Sequence, residues 1–440
     1  MEQVDSEHGP VVAILERVLV ILLWWHRCVE VRRPLGFVIV FMLVYSGWQL
    51  ASVQAETTIV PLVDVRGRYD SNVFNRPAEL LPAGTQRSDF VTSVGGDVQL
   101  LHDTRDLTAN LSVGGNFNAF VENPGLNFFN ARVKGEVSLD RWVDQYVRGA
   151  KLGITQNFRY TPETPGFVTG IRETEIEDDA FFRGIQGFRA NTFANTTSIG
   201  GSYPVSRDLD LEGGYTFGLR RMGSVQGGGV AGASFFDTNS HTWFGGPRYR
   251  LTRNDSVAAI YRQTFLLQSR SEGGRSFSTN LVTLAGEYTK AFQEWSFTVE
   301  GGITFVEPAG RTFPSGALKV TTHPERDTVI HVTLSRQARP SFFLGGGALI
   351  SNLGRVGISH RIYERLTVEG SAAYGYNQLF PDTDQTFKNF TASSGLHYNL
   401  TRNITGNFLY TFINIDVDRT DIAYQVSRHQ VGFFLTAAWK

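Results

Sequence analysis

The segment WSFTVEGGITF, residues 295–305, alternates between two kinds of side chain without interruption. One series is largely apolar and consists of Trp295, Phe297, Val299, Gly301, Ile303 and Phe305. The other is mostly small and polar and consists of Ser296, Thr298, Glu300, Gly302 and Thr304. A period of two residues places the series on opposite faces of a β-strand, whereas a helix repeats every 3.6 residues. The segment is therefore predicted to be a strand with one apolar and one polar face.

The same alternation recurs along the chain, in Leu209–Phe217, Leu366–Tyr374 and Ile404–Phe412. Each of these segments follows a short polar or charged cluster that is typical of a tight turn. Eight such clusters occur, at 103–106, 140–141, 206–208, 252–255, 293–294, 324–327, 364–365 and 401–403. Eight turns join sixteen strands. A first strand near Ile59–Tyr69 and a last one near Val426–Trp439 bring the predicted total to about 18, within a range of 16–18.

Composition favours a membrane barrel over a soluble β-sandwich. Charged residues make up 19% of the 440 residues and aromatic residues 12%, with 46 glycines. The polar faces carry mostly Ser, Thr, Asn and Gly, whereas the polar faces of a sandwich usually carry many Lys and Glu. The predicted fold class is all-β, a transmembrane antiparallel up-and-down β-barrel. A net charge of −1 argues against a nucleic-acid partner.

Tryptophan positions fit the two aromatic girdles of a membrane barrel. Trp142 and Trp295 follow tight turns and Trp439 ends the last strand, so all three are expected at one membrane interface. Trp243 is expected near the start of its strand, at the opposite interface.

Residues 1–55 differ from the rest of the chain. Arg32 and Arg33 precede an apolar run from Leu35 to Leu50, and small residues then lead to Ala55. This order predicts a secretory signal peptide that is cleaved after Ala55, which leaves 56–440 as the barrel. An uncleaved N-terminal anchor is the alternative.

The predicted signal peptide has an over-long n-region, which favours a translation start near Val29 or Val31 and makes residues 1–28 a start-site artefact. Cleavage would also remove Cys28, the single cysteine. A chain without cysteine suits passage through an oxidising periplasm.

Two segments resemble the putative β-barrel porin 2 family. Tyr69-Asp70-Ser71-Asn72-Val73-Phe74, at the end of the first predicted strand, is similar to a segment found in that family, and Asn403–Trp439 looks like the family's closing pair of strands. The family consists of outer-membrane barrels that are often associated with exopolysaccharide or PEP-CTERM-type loci. The resemblance implies an outer-membrane channel or a polysaccharide-export accessory, with no catalytic residues to carry over.

An even strand number places the tight turns in the periplasm and nine longer connections outside the cell. The longest is residues 160–189, which is predicted to fold into the lumen as an acidic constriction loop that favours cations. The residues assigned to this constriction are Glu173, Glu175, Glu177, Asp178, Asp179, Arg183 and Arg189. The alternative is a solvated surface loop whose charges only keep it soluble.

A second set of charges is expected to point into the lumen, either filtering ions or pairing across a packed interior. Its members are Glu212, Glu300, Glu369, Arg248, Arg250, Arg355 and Arg361. The histidines are scattered singly, and no catalytic, cofactor-binding or metal-binding residues are predicted. The chain is therefore not expected to be an enzyme.

The predicted function is an outer-membrane channel that passes small hydrophilic solutes or a polysaccharide. The alternative is a non-conducting structural or binding barrel, an accessory to an envelope exopolysaccharide-export system. Expected partners are outer-membrane lipid, the barrel-assembly machinery through the C-terminal strand ending at Trp439, and polysaccharide or export-complex proteins. The final strand resembles the assembly signal of outer-membrane proteins, although Lys440 follows the terminal aromatic residue.

Overall fold

Strands dominate the part of the chain that the computed structural model describes, which is residues 56–162, 189–225, 236–270, 276–307, 309–340, 347–381, 385–419 and 422–439. The first nine strands are β1 Glu56–Asp70, β2 Asp89–Asp103, β3 Thr108–Phe120, β4 Phe128–Ser138, β5 Lys151–Thr161, β6 Ala190–Pro204, β7 Leu209–Val225, β8 Phe236–Arg250 and β9 Asp255–Arg270. The other nine are β10 Phe277–Ala291, β11 Trp295–Glu307, β12 Arg311–Glu325, β13 Thr328–Pro340, β14 Ala348–Tyr363, β15 Leu366–Phe380, β16 Thr386–Asn399, β17 Ile404–Arg419 and β18 Ile422–Ala438.

These strands form one closed antiparallel sheet of 18 strands. Each strand pairs with its neighbours in the chain, and β1 also pairs with β18, from Leu62 opposite Ala438 to Asp70 opposite Gln430. Closure gives every strand a partner on both sides, so the sheet has no free edge. The prediction of an up-and-down barrel with 18 strands is confirmed.

Helices are short in this fold. Two 3-10 helices, Ala78–Leu80 and Pro124–Leu126, lie in the β1–β2 and β3–β4 connections, and helix α1, Asp140–Asp144, lies between β4 and β5. Within the described ranges, no helix has the length and apolar character needed to cross a membrane.

The eight predicted turns fall between strands at one end of the barrel, which we call the turn end. Seven are tight, but the β4–β5 connection is longer and contains α1. There the Asp140 carboxylate accepts a hydrogen bond from the Leu152 backbone N–H at 2.9 Å, and Gly149 adopts a positive φ of 78°. The expectation of a tight turn at 140–141 is wrong, because these local contacts stabilise a helical connection.

The opposite end, the loop end, carries nine connections. Those between β11 and β12 and between β17 and β18 are as short as the turns, so the prediction of nine longer connections is wrong for these two. The β1–β2 connection, residues 71–88, is long and bears directly on the candidate site.

Alternation along each strand separates the outer and inner faces of the wall. On β11, Val299 and Ile303 are exposed on the outer face, at 43% and 52%, whereas Thr304 on the inner face is 1% exposed. Residues directly opposite one another on neighbouring strands share a face, so the register extends this assignment around the barrel. The result is an apolar outer surface and a largely polar inner surface.

Tryptophan placement agrees with the predicted girdle at the turn end only. Trp142 lies in α1, Trp295 begins β11, and Trp439 follows β18. Trp243, however, lies at the midpoint of β8 on the outer face, stacked on His241 with ring centroids 6.0 Å apart. The expectation that Trp243 marks the opposite interface is wrong, because β8 begins at Phe236 and extends farther toward the loop end than the alternation indicated.

A buried ion pair joins the first and last strands at the loop end. Asp70 accepts hydrogen bonds from Arg428 Nε at 2.9 Å and Nη2 at 2.5 Å, and from Gln430 Nε2 at 3.1 Å. The Arg428 and Asp70 side chains are only 4% and 0% exposed. A bidentate guanidinium–carboxylate pair in this setting fixes both strands, and removing one partner would leave an uncompensated buried charge.

Replacing Arg428→Gln is expected to lower the free energy of unfolding by about 3–5 kcal/mol, because Asp70 would remain buried without its counter-charge. The matched control is Arg361→Gln, because Arg361 pairs with Asp327 at the turn end and both side chains are about half exposed. Exposed pairs contribute little, so the control should unfold like the wild type. Urea unfolding in lipid bilayers, followed by tryptophan fluorescence, measures both. Equal losses of unfolding free energy in the two variants would contradict the conclusion that the buried Asp70–Arg428 pair stabilises the contact between β1 and β18.

Candidate functional site

The inner wall of the barrel is the candidate functional surface, and its cations outnumber its carboxylates among the described strand residues. The strand register places these cations on the inner face: Arg66, Arg68, Arg132, Lys134, Lys151, Arg159, Arg220, Arg248, Arg250, Arg262, Arg311, Lys319, Arg339, Arg355, Arg361 and Arg428. The carboxylates on the same face are Glu56, Asp64, Asp70, Asp89, Asp97, Asp103, Glu136, Asp210, Glu212, Glu287, Glu300 and Glu369.

Most inner-wall carboxylates toward the turn end lie against a cation. Asp64 accepts a hydrogen bond from Arg66 Nε at 2.6 Å, and Asp97 binds Arg132 through Nε at 2.9 Å and also through Nη2. Lys134 Nζ lies 3.2 Å from Glu136 Oε1. The carboxylates therefore contribute less negative field to the lumen than their number implies.

The predicted lumen charges Glu212, Arg248 and Glu300 belong to one network on β7–β11. Arg248 donates from Nε to Glu212 Oε1 at 2.6 Å and from Nη1 to Glu287 Oε1 at 2.9 Å. Glu300 lies directly opposite Glu287, and its Oε1 is 4.0 Å from Arg262 Nη1. Sequence reasoning missed Glu287 and Arg262, although the alternation of β9 and β10 would have placed both on the inner face.

The remaining predicted lumen charges also lie on inner-face positions. Arg250 donates to Asp210 at 2.5 Å, and Arg361 pairs with Asp327 at the rim of the turn end. Glu369 accepts a hydrogen bond from Ser359 Oγ at 3.4 Å. Arg355 lies opposite Ala373, within the same face of β14 and β15. Their action on a solute stays a prediction.

The predicted constriction loop falls mainly outside the described residues, as do Glu173, Glu175, Glu177, Asp178, Asp179 and Arg183. Arg189 is described and is 3% exposed. Its guanidinium lies 4.5 Å from the ring centroid of Phe120 and 4.8 Å from that of Phe128, and Nη2 donates to the Leu126 carbonyl at 3.3 Å. Arg189 is thus held by aromatic side chains at the loop end of β3 and β4.

The β1–β2 connection packs its first residues against the inner wall. Val73 and Phe74 form one buried apolar cluster, the first cluster, with Val91, Phe120, Leu126 and Phe128. Asn72 is fully buried, and its side chain donates to the Arg76 carbonyl at 2.9 Å and accepts from the Arg76 N–H at 3.3 Å. Burial lowers the pKa of the Arg76 guanidinium, and nearby Tyr424 on β18 acts in the opposite direction. The Asp-Ser-Asn turn therefore shapes a loop that lies against the interior.

Two further apolar clusters lie at the loop end. The second cluster contains Leu349, Leu379, Phe387, Ile413, Ile415 and Val417, with Tyr424 packed against it. The third cluster contains Leu281, Val306, Ala348, Ile350 and Phe380. Every member of the second cluster occupies an inner-face position, which would be wet in a uniformly open pore. In the third cluster, Leu281 and Val306 occupy inner-face positions, whereas Ala348, Ile350 and Phe380 lie on the opposite face of β14 and β15.

The third cluster joins strands that are not neighbours in the sheet. Leu281 on β10 and Val306 on β11 contact residues of β14 and β15, with β12 and β13 between them. Gly347 also exchanges hydrogen bonds with the buried Thr279 hydroxyl, which accepts from its N–H at 3.1 Å and donates to its carbonyl at 3.4 Å. The loop-end segments of β14 and β15 therefore lean over the inner wall and narrow the lumen.

A closed antiparallel barrel with an apolar exterior and a charged interior defines the class of transmembrane β-barrels of porin type. Residues 316–436 match the family described as "Putative beta-barrel porin 2". This match confirms the family resemblance for that part of the chain. It includes most of the closing hairpin but not the Tyr69–Phe74 segment. No curated protein matches the chain in sequence.

Solved outer-membrane structures are similar at low identity. The FrpB iron transporter from Neisseria meningitidis is 10% identical with a TM-score of 0.43, and the match covers 86% of this chain and 65% of that one. OpdQ of Pseudomonas aeruginosa is 11% identical with a TM-score of 0.43, covering 88% and 97%. The outer membrane protein OpdK of the same species is 10% identical with a TM-score of 0.41, covering 87% and 99%. This chain thus spans less than two thirds of the length of FrpB.

Gly114 keeps room for the Asp97–Arg132 pair, because a Cβ there would overlap the Asp97 carboxylate and approach the Gly96 carbonyl. Replacing Gly114→Ala is expected to destabilise the barrel by about 1–3 kcal/mol through overpacking. The control is Gly286→Ala on the outer face of β10, where a Cβ meets nothing within 4 Å. Urea unfolding in bilayers compares the two. A Gly114 variant as stable as the Gly286 variant would contradict the assigned packing.

Proposed function

We propose that this protein is an outer-membrane channel for hydrophilic solutes. The supporting observation is the division of side chains across the wall, with apolar residues outside and charged networks such as Glu212–Arg248–Glu287 inside. Barrels of 16–18 strands are wide enough to leave an aqueous passage. Charged side chains on the wall of such a passage can interact with hydrated solutes.

In the proposed orientation, the tight turns face the periplasm and the loop end faces the exterior. Val431, Phe433 and Leu435 of β18 then contact outer-membrane lipid, since all three are exposed on the outer face. Recognition of this strand and of Trp439 by the barrel-assembly machinery stays a prediction, as does cleavage of a signal peptide after Ala55.

A narrowing of the lumen at the loop end is part of this proposal. The three apolar clusters narrow the lumen there, whereas the charged networks lie toward the turn end. A solute entering from outside would therefore pass a narrow apolar region before it reaches the charged wall. The acidic constriction predicted for residues 160–189 would add a second filter in this region and stays a prediction.

The burial of these clusters also favours the second candidate, a non-conducting barrel that serves as an accessory to an envelope exopolysaccharide-export system. Ile413, Ile415 and Val417 are at most 3% exposed although they occupy inner-face positions. If apolar side chains fill the lumen at the loop end, no solute can pass through the barrel. Current through the purified protein separates the two functions.

Single-channel recording in planar bilayers is expected to give discrete openings for protein extracted from membranes of cells that express the full chain. Replacing Phe74→Ala should raise the open conductance or opening frequency, because it removes an aromatic ring from the first cluster. The control, Phe90→Ala, removes the same ring from the outer face of β2, where Phe90 is 49% exposed. Silence from folded wild type and both variants would refute the channel and favour the accessory role.

The acidic loop is tested by replacing Glu173, Glu175, Glu177, Asp178 and Asp179 together with their amide counterparts. If this loop forms an acidic constriction, the cation permeability of the channel should fall, because the negative field at the narrowest point is removed. Reversal potentials in a potassium chloride gradient measure the change. An unaltered reversal potential would favour the solvated surface loop.

A further inference from the structure

An exposed aromatic side chain lies on the inner wall near the middle of the barrel. Phe244 follows Trp243, the midpoint residue of β8, and is 40% exposed. It lies directly opposite Gly214 on β7 and Arg262 on β9, which are inner-face positions. The other exposed aromatic residues of the described strands lie on the outer face. Phe244 therefore offers an apolar ring to the lumen where its neighbours are polar.

The Phe244 ring lies over two inner-face glycines. A Cβ at Gly214 would be only 2.6 Å from Phe244 Cε1, and a Cβ at Gly200 on β6 would be 3.7 Å from Phe244 Cζ. Because neither glycine has a side chain, the ring can extend from β8 across β7 toward β6, close to the backbone. Its remaining surface faces the lumen as a platform.

Hydroxyl groups border the ring on its loop-end side. Four of them lie in direct cross-strand register on β6 to β9 and form what we call the hydroxyl row: Ser198, Thr216, Thr242 and Thr264. Ser198 Oγ lies 2.9 Å from Thr216 Oγ1, and Thr242 Oγ1 lies 3.1 Å from Thr264 Oγ1. A hydroxyl donates one hydrogen bond and accepts two, so each pair keeps one donor and several lone pairs for a ligand. All four side chains are partly exposed.

Charged groups border the ring on its other sides. The Arg262 side chain, directly opposite Phe244, is 40% exposed, and that of Glu212, two residues before Gly214 on β7, is 38% exposed. The network to which they belong consists of Glu212, Glu287, Glu300, Arg248 and Arg262. Three carboxylates and two guanidinium groups leave no positive surplus, so the surroundings of the ring do not select an anion.

A sugar ring has the two kinds of surface that fit this arrangement. A pyranose presents C–H groups on its faces and hydroxyl groups around its edge. The face of an aromatic ring is negatively polarised and attracts such C–H groups, whereas carboxylate, guanidinium and hydroxyl groups pair with the hydroxyl edge. Ligand sites of this type combine aromatic contact with a small number of placed polar groups.

We propose that Phe244, with the hydroxyl row on one side and Glu212 and Arg262 on the others, forms a subsite for neutral saccharides. This inference rests on the proposed channel function and specifies its substrate class. Stacking on the ring would hold a saccharide in the lumen for longer, whereas small ions would pass without this contact. The residues come from four strands, so only the register of the sheet brings them together.

Binding is tested by isothermal titration calorimetry of the full-chain protein in a sugar-free detergent, with maltohexaose, cellohexaose and mannohexaose as probes. The wild type is expected to bind at least one of them. Phe244→Ala should weaken that binding about tenfold because the stacking surface is lost, whereas Phe244→Tyr keeps the ring and should bind like the wild type. The control, Phe408→Ala, removes a ring that is 44% exposed on the outer face of β17 and should leave binding unchanged.

The outcomes of this titration separate the alternatives, once heat-modified gel mobility has verified that each variant is folded. No binding of any of the three oligosaccharides by the wild type, or equal affinity in Phe244→Ala, would refute the subsite. Benzoate serves as a second probe. If benzoate binds in a manner that depends on Phe244 and the oligosaccharides do not, the platform serves an aromatic solute and the saccharide assignment is overturned.

The hydroxyl row is tested by the double variant Thr242→Val, Thr264→Val, which removes two hydroxyl groups and keeps the shape of the side chains. Affinity for the bound oligosaccharide should fall several-fold, because polar edges of the ligand lose their partners. The control is Ser371→Ala, Ser393→Ala, since these hydroxyl groups form a similar pair at 2.7 Å on β15 and β16. Equal affinities in the two double variants would contradict the role of the row.

Single-channel recording separates failure of the subsite from failure of the channel. In a conducting wild type, the oligosaccharide that binds should cause transient blocks of the potassium chloride current, and these should be shorter in Phe244→Ala. Binding by a protein that never conducts would overturn the channel and leave the subsite in place. Conduction without blocks and without binding would overturn the subsite and leave the channel in place.

Discussion

Pairing between β1 and β18 is the constraint on which the rest of the structure depends. A hydrocarbon layer offers no water to backbone N–H and C=O groups, so a sheet can cross it only if its first and last strands meet. The buried Asp70–Arg428 pair stabilises that meeting at the loop end, across almost the whole length of the chain. Once the sheet is closed, alternate side chains of every strand face the lipid and the lumen.

The interior that results has two regions of different character. Toward the turn end, arginines and carboxylates such as Arg248, Glu212 and Glu287 form networks that a hydrated solute can contact. Toward the loop end, apolar side chains and the β1–β2 connection narrow the passage. In the proposed channel, selection by charge and restriction by apolar side chains would be carried by different residues, which makes the two separable by mutation.

The strand count, the turn positions and the inner-face positions of Glu212, Glu300 and Glu369 could be predicted from the sequence, because each depends on local alternation. Ion pairs such as Asp70–Arg428 could not, since they depend on closure between distant segments. The α1 connection and the central position of Trp243 were missed because side-chain–backbone contacts and strand length set them. The third cluster depends on an inward lean of β14 and β15, which the alternation of side chains in the sequence does not reveal.

Cysteine scanning along β11 tests the division of the wall most directly. In a chain carrying Cys28→Ser, single cysteines are placed from Phe297 to Phe305 and exposed to a water-soluble maleimide in lipid vesicles. The account predicts labelling at Thr298 and Glu300 on the inner face, with weak labelling at Phe297, Val299, Ile303 and Phe305, and also at Thr304, which is buried against Thr283. Uniform labelling, or strong labelling at the second set, would contradict a closed barrel with a polar interior.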